Sequence, residues 1–519
     1  MSNAETFLHP SEYPVSPVMN ALVRDWNKPI VELVGGRSWT GGDIIMKISQ
    51  LTQALQEAGV KGGARVALLA GNSIEVLLLH NALGFAGGCL VAMHPMGSAD
   101  DHLFAIEDGE VDFLIYDPSK FAKRAEELQQ RTNRLKSILS LGDGKLGEDL
   151  LKQAEAKTPG PLTAPELPDN AITRLSYSGG TTGTPKAIPG SPRVGAMALQ
   201  IMMTDWEWPT EPRMLAVVPL SHAGGSLFGP TVLKSGTMVV MTSFDPAEVM
   251  RVIQEHKITC TMLVPTMIYA ILDHPDFDKY DLSSLETIFY GASLMSPVRL
   301  KEGIERIGPV FFQFYGQAEA PMTVMTLRRS EHDPNNLERL ASCGRPTPWL
   351  NVALLDDDDQ PVPDGEPGEI CVRGPLVMDG YLNRDELNKQ TFSGGWLHTG
   401  DVALKDPDGF YRIVDRKKDM IVTGGFNVFP SEVENVIAQH PSVAQVSVFG
   451  VPDEKWGEAV RAAVVLRPGA RVEAPELIAL VREHKGPVQA PKNIVFIDAI
   501  PQTAVGKPDK KALKAAYAT

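Results

Sequence analysis

Cysteine is scarce in this chain and scattered where it occurs. Four of 519 residues are cysteine, at Cys89, Cys260, Cys343 and Cys371. No two form a C-x-x-C pair, so zinc is not suggested and a disulfide framework is not expected; a reducing cytoplasmic compartment is. Long apolar runs are also missing. The most hydrophobic stretch, VLLLHNALGFAGGCLVAMHP from Val76 to Pro95, is interrupted by His80, Asn81 and three glycines. A spanning helix needs about 20 predominantly apolar residues, so the stretch reads as a core helix, a glycine break and a buried strand, and no transmembrane segment is expected. The N-terminal MSNAETFLHP lacks the charged and apolar regions of a signal peptide. Basic charge is in deficit: 49 Lys and Arg against 64 Asp and Glu leave a net charge of −15. A nucleic-acid binder carries a basic footprint, so no nucleic-acid partner is expected, and anionic ligands would need locally placed donors. Internal repeats and low-complexity tracts are absent.

What is present is a chain too long for one hydrophobic core, so at least two domains are expected. Its 43% hydrophobic and 22% charged residues are those of a soluble globular protein. Strand-like runs alternate with helix-like runs over the first 350 residues: ARVALLA (64–70), followed by a helix from Ser73, then DFLIYD (112–117), RMLAVVPL (213–220), TMVVMT (237–242), CTMLVP (260–265) and TIFYGA (287–292). This alternation predicts an α/β fold with mostly parallel sheets, whose sites gather on loops at the carboxyl ends of strands. After Leu350 the texture changes to short strands and turn residues. GDVALKDPDGFYRIVDR predicts a hairpin turning at Asp408-Gly409, within a small antiparallel β lobe. Ser431 and Glu434 match an S-x-x-E capping box opening a helix, and strand–helix alternation is expected from there to the end. The expected boundary falls near 417–419. It separates a large N-terminal domain, 1–417, from a smaller α+β C-terminal domain, 418–519.

The stretch YSGGTTGTPKAIPGS, 177–191, is rich in Gly, Ser and Thr and contains Lys186. Glycines permit positive φ and close approach of a ligand, and successive N–H groups form an anion-binding nest. A triphosphate suits these donors. The loop is not a P-loop, which needs G-K-[ST]; here Lys186 follows Thr184-Pro185.

Four further segments follow in order: YGQAEAP (315–321), GWLHTGD (395–401), YRIVDRKKDMIVTGGFNVFPSEVE (411–434) and PQTAVGK (501–507). Together with the loop they resemble the motifs of the adenylate-forming superfamily of acyl-CoA synthetases, aryl-CoA ligases, luciferases and nonribosomal-peptide adenylation domains. The resemblance implies an AMP-binding enzyme in which a carboxylate attacks the α-phosphate of ATP. Acyl-AMP and pyrophosphate form, and the thiol of CoA then displaces AMP. It implies that Ser178, Gly179, Gly180, Thr181, Thr182, Gly183, Thr184 and Lys186 hold the phosphates. Gly291, Ala292 and Ser293 would hold the adenine, with Tyr315 stacked on the base, Gly316 and Gln317 are further implied ATP/AMP-binding residues, and Asp401 and Arg416 would hold the ribose. Lys507 is the implied catalytic cation, and Glu319 with Thr181 the implied Mg2+ site. Two departures stand out. Ala318 occupies a position where the family mostly has Thr, and Tyr315 or Gln317 are candidates to supply the missing contact. Gly180 stands where Ser-Gly is commoner.

His222, in VVPLSHAGG, resembles a residue that gates the carboxylate pocket and later the pantetheine tunnel. His222, Phe228, Tyr290, Gly316 and Met322 are the candidate pocket lining, suggesting a mainly apolar acyl or aryl tail. Lys418 matches a hinge about which the C-terminal domain rotates between half-reactions. Gly424 and Gly425 resemble the backbone lining the tunnel after rotation; Trp456 is a candidate for packing near CoA or for a core position. The reading is an acid–thiol ligase using ATP, Mg2+ and CoA on a small carboxylic acid, with a homodimer carried as an expectation. The alternative is an adenylation-only enzyme serving a separate carrier protein; with about twelve residues after Lys507, no fused carrier domain is expected.

Overall fold

Runs of β-branched and aliphatic residues without alternation make strands buried on both faces, as parallel sheets require. The computed structural model describes residues 16–517, except 169, 178–184, 418, 425, 454–455 and 504–507. In it every run predicted above is a strand whose inner residues are fully buried: Arg65–Leu69, Phe113–Tyr116, Arg213–Ala216, Thr237–Val240, Cys260–Leu263 and Thr287–Tyr290. The stretch 76–95 folds as expected. Helix Ile74–Ala86 begins after Ser73, Gly87 ends it at φ 76°, and the buried strand Cys89–Ala92 follows.

The strands assemble into two large sheets. In the seven-stranded sheet Arg65–Leu69 sits between Phe113–Tyr116 and Cys89–Ala92, all parallel, and Arg174–Tyr177 follows on the Cys89 side. Ala187–Gly190 closes that edge antiparallel, pairing Tyr177 with Ala187. The nine-stranded sheet has a parallel centre and antiparallel edges, with Phe311–Gln317 folding back on Ala320–Leu327. One continuous core cluster joins residues of both sheets, from Val66 to Phe314.

A four-stranded antiparallel lobe, Asn351–Leu355, Gly368–Arg373, Leu397–Lys405 and Tyr411–Arg416, carries the predicted hairpin, with Gly409 at φ 84°. Gly344 bridges to Tyr411 and ties this lobe to the large sheet. Gly344 has φ +91°, and a Cβ there would lie 1.9 Å from the Thr326 carbonyl oxygen, which is backbone and cannot swing away. Gly344→Ala is therefore expected to destabilise the protein by about 2 kcal/mol or more, read as a lowered midpoint in thermal unfolding.

The last sheet is built on the antiparallel pair Val443–Asp453 and Gly457–Leu466, with Asn493–Phe496 added parallel. This long hairpin interrupts the strand–helix alternation expected after 431, which otherwise continues through helix Ala474–Gln489, strand Asn493–Phe496 and helix Lys510–Tyr517. The capping box is also corrected. The helix is Pro430–Ile437, so Phe429 is its N-cap and Ser431 already lies inside it. Proline at the first helical position fixes the start. The Ser431 hydroxyl donates to the Val414 carbonyl instead, and Glu434 accepts from the Val448 N–H at 2.7 Å. Both residues thus tie the C-terminal sheet together and to the strand preceding residue 418.

Candidate functional site

A cavity of about 2910 Å³ opens where the two large sheets, the antiparallel lobe and the C-terminal sheet meet. At one side of it, the strands Arg174–Tyr177 and Ala187–Gly190 form a hairpin whose connection is the Gly- and Thr-rich stretch. Ser178, Gly179, Gly180, Thr181, Thr182, Gly183 and Thr184 lie outside the described residues. Lys186 lines the cavity, its Nζ 5.0 Å from the centre of the Tyr381 ring. The Tyr381 hydroxyl donates to Glu319 Oε1 at 2.7 Å. Burial, and then the neighbouring Glu319 charge, push the Tyr381 phenol far above its ordinary range, so it stays a donor. Tyr381 carries no local signal in the sequence; it lies between the lobe strands Gly368–Arg373 and Leu397–Lys405, nearly two hundred residues after the Lys186 it meets.

Asp401 anchors the opposite wall. Its carboxylate is buried and takes three donors: Tyr315 Oη at 2.6 Å, Gln317 Nε2 at 2.6 Å and Arg416 Nε at 2.5 Å. Asp401 and Arg416 meet because their strands pair in register within the lobe. Burial alone would lower the Arg416 guanidinium, but Asp401, Tyr315 and Glu319 outweigh it and its pKa is raised. A carboxylate has about four lone-pair sites, so one remains. Accepting both hydroxyls of a ribose requires Tyr315 or Gln317 to give way. Gln317 also donates to the Thr399 carbonyl at 2.9 Å. In this arrangement both side chains, the candidates to replace the hydroxyl missing at Ala318, are engaged with Asp401, and Ala318 lines the cavity without a polar side chain.

Gly291, Ala292 and Ser293 follow the strand Thr287–Tyr290 at its carboxyl end and line the cavity with Gly316 and Met322. A Cβ on Gly316 would stand 2.5 Å from the Met322 N–H nitrogen, so only glycine allows this approach. Ala292 and Met322 hold left-handed backbone, φ 67° and 56°. Such strained non-glycine residues gather at ligand sites.

His222 lines the cavity from the loop after Arg213–Ala216. Asn72 holds that loop, accepting from the Leu220 N–H at 2.8 Å and donating to the Val218 carbonyl at 3.1 Å. His222 Nδ1 pairs with Ser221 Oγ at 2.9 Å, and its ring meets that of His94 edge-on at 4.7 Å. Burial first, then His94, Arg174 and His80, hold its pKa well below 6.5, so the imidazole is neutral at physiological pH.

Two pocket expectations are corrected. Phe228 is 5% exposed in the main core, and Tyr290 is fully buried in a second core, its hydroxyl 3.1 Å from Gln313 Oε1 and 2.9 Å from His332 Nε2. Neither lines the cavity. Tyr290 ends a strand buried at every position, and its ring is enclosed in the core behind cavity-lining residues such as Gln313 and Met295.

The C-terminal sheet contributes Gln502, Thr503, Pro508, Asp509 and Lys510 to the cavity wall. These flank Lys507, which itself lies outside the described residues, as do Lys418 and Gly425. Lys510 sits 3.9 Å from Asp415 and 3.6 Å from Glu434. Asp415 is buried, and burial first pushes its pKa up to about 6. Gly424 and Trp456 do not line the cavity. The Gly424 N–H donates to the Trp456 carbonyl at 2.8 Å, and the indole is 40% exposed, with Lys492 Nζ 5.3 Å from its ring centre.

The chain is similar to known proteins over nearly its whole length. Residues 20–382 match the model of AMP-binding enzymes, and 432–507 that of the AMP-binding enzyme C-terminal domain. It is 50% identical over 513 residues, 96% of this chain and 89% of the other, to a medium/long-chain-fatty-acid–CoA ligase of Mycobacterium tuberculosis. It is 34% identical to a feruloyl-CoA synthase of an Amycolatopsis species, covering 91% and 93%. Among solved structures, an amide bond synthetase of Marinactinospora thermotolerans superposes with a TM-score of 0.88 at 33% identity, covering 96% and 99%. An o-succinylbenzoate CoA synthetase of Bacillus subtilis, in complex with its acyl-adenylate intermediate, gives 0.83 at 26%, covering 96% and 97%. The parallel sheets, antiparallel lobe and C-terminal domain are those of adenylate-forming enzymes, and the chain belongs to the AMP-binding enzyme family.

Proposed function

We propose that this chain is an ATP-dependent acid–thiol ligase. It joins a carboxylate to ATP, releasing pyrophosphate, and passes the acyl group of the resulting acyl-AMP to CoA, releasing AMP. One observation carries this reading: a single cavity has Glu319, Asp401 and Arg416 on one wall and, on another, the residues on both sides of Lys507. Asp401 and Arg416 hold the ribose, Gly291–Ser293 and Tyr315 the adenine, and the loop 178–184 with Lys186 the phosphates. Two anions must meet in the first half-reaction, so preorganised cations and donors do most of the work. Glu319 is the residue that would hold Mg2+, with Thr181. Among the described residues no group of three or more His, Cys, Asp or Glu could hold a metal ion. A single carboxylate suits Mg2+, which is carried largely on nucleotide phosphates and there neutralises their charge.

The acid is apolar. Met262, Met267, Met295 and Met322 line the cavity beside Ala198 and Leu199, and the similar ligases named above act on fatty or feruloyl acids. Four buried, unpaired cysteines support a reducing cytoplasmic setting.

Residues 418–519 form a mobile domain that turns about Lys418. The flanks of Lys507 face the cavity while Gly424 and Trp456 do not, which suits the adenylating arrangement; rotation then brings Gly424, Gly425 and Trp456 to the pantetheine. Lys418→Pro is expected to spare pyrophosphate exchange and to slow thioester formation from added acyl-AMP. Equal loss of both halves would count against the hinge.

The activity is tested with linear, cyclic and aryl acids, ATP and CoA. Thioester and AMP are expected in equal amounts with apolar acids. Acyl-AMP release with no thioester would favour the adenylation-only alternative, and amide formation on an added amine would favour the activity named for the Marinactinospora enzyme.

A further inference from the structure

We infer that the acid carries a second oxygen acceptor on its apolar body, a ketone, hydroxyl or carboxylate, and that Arg174 is the residue that reads it. This rests on the ligase reading above. Arg174 opens the strand Arg174–Tyr177, at the end away from the phosphate hairpin, and lines the cavity. Strand rise of about 3.3 Å per residue puts its Cα about 10 Å from that of Tyr177, where the phosphate loop begins. The Arg174 side chain turns instead to the His222 side, donating from Nη2 to the Ser221 carbonyl at 2.8 Å and from Nε to Ser176 Oγ at 3.3 Å.

Both partners are neutral, and among the described residues no carboxylate lies within 4.0 Å of the guanidinium. Three other cations of the site do have one: Arg416 has Asp401, Lys417 has Asp357 and Glu369, and Lys510 has Asp415 and Glu434; Lys186, which has none among the described residues, is the one assigned to the phosphates. His80 and His222 both lie within reach of the Arg174 charge. Burial, more than the nearby Arg174 charge, holds His80 down at about 3, and His94 and His222 are lowered as well. The buried His80 Nε2 has no partner either. A guanidinium taken out of water is costly unless paired. A cavity-facing one without a counter-charge is completed by an acceptor that arrives with the ligand. The triphosphate belongs at the Lys186 and Glu319 end, and the reacting carboxylate lies between it and His222. The acceptor left for Arg174 is one on the body of the acid, among Met202, Val218 and Ala223, which line the same cavity.

The test compares acids in pairs of equal length, with and without a distal ketone or carboxylate, by kcat/KM for acid-dependent pyrophosphate exchange. Wild-type enzyme is expected to favour the oxygen-bearing member by about 10-fold or more, the scale of one charge-assisted hydrogen bond. In Arg174→Leu the ratio should fall to near one, and Arg174→Lys should recover part of it for the carboxylate. The ratio does not depend on how much of a variant is folded. A wild-type ratio near one, a ratio unchanged in Arg174→Leu, or a change confined to the KM for CoA would each overturn the inference while leaving the ligase reading intact. No exchange with any acid would sink both.

Discussion

Lys507→Ala is expected to lower acid-dependent pyrophosphate exchange by about 100-fold or more, the scale of deleting one preorganised donor at a developing charge. Carboxylate and triphosphate repel, and the attack on phosphorus brings them into contact. Among the described residues, most cations lining this part of the cavity are committed. Arg416 is bonded to Asp401 at 2.5 Å, Lys417 to Asp357 at 2.6 Å, and Lys510 lies between Asp415 and Glu434. Lys186 lies against the Tyr381 ring at the hairpin. A further cation is needed at the junction of the two anions. Thr503 and Pro508 bring the segment bearing Lys507 to the cavity wall, and lysine supplies a compact charge on a long stem. Thioester formation from added acyl-AMP should survive in the same variant, because the phosphate chemistry is then already done. Near wild-type exchange would remove Lys507 from this role.

Asp401→Ala is expected to raise the KM for ATP by about 100-fold, with Asp401→Asn falling between the two, because an interaction with bound nucleotide is lost together with the residues it orients. Asp401 is the shared acceptor of Tyr315, Gln317 and Arg416. Its removal leaves the Arg416 guanidinium without its partner and frees the ring that faces the adenine segment. Nucleotide titration by calorimetry separates this from a loss of fold, which thermal unfolding reports. Unchanged ATP affinity in Asp401→Ala would show that the carboxylate serves only the lobe.

Much of this architecture is legible in the sequence, for physical reasons that also mark the limits. RVALL, FLIY and TMVV are continuous apolar runs because both faces of a parallel strand are covered. Asp408-Gly409 is legible because a tight hairpin needs positive φ. The same double coverage hides the orientation of Tyr290: where every strand residue is buried, alternation carries no information about which face holds the site. Ser431 fits a capping pattern, yet Pro430 sets the helix start and a tertiary partner takes the hydroxyl. Tyr381, Asn72 and Arg174 carry no local signal, since each acts across elements distant in sequence. Asn72 reaches the loop before His222 from more than a hundred residues away, and Tyr381 reaches Glu319 from the lobe. The glycine in TIFYGA and that in YGQ are legible as motif residues. Their reason, close approach to the Phe314 carbonyl and to the Met322 N–H, belongs to the fold.

The central claim is that an acyl-AMP forms in this cavity. It is tested most directly by supplying a carboxylic acid labelled with oxygen-18 in its carboxyl group, with ATP and CoA, and weighing the products by mass spectrometry. Attack of the carboxylate on the α-phosphate predicts one labelled oxygen in AMP and none in pyrophosphate. Label in inorganic phosphate, with ADP as the nucleotide product, would contradict the account.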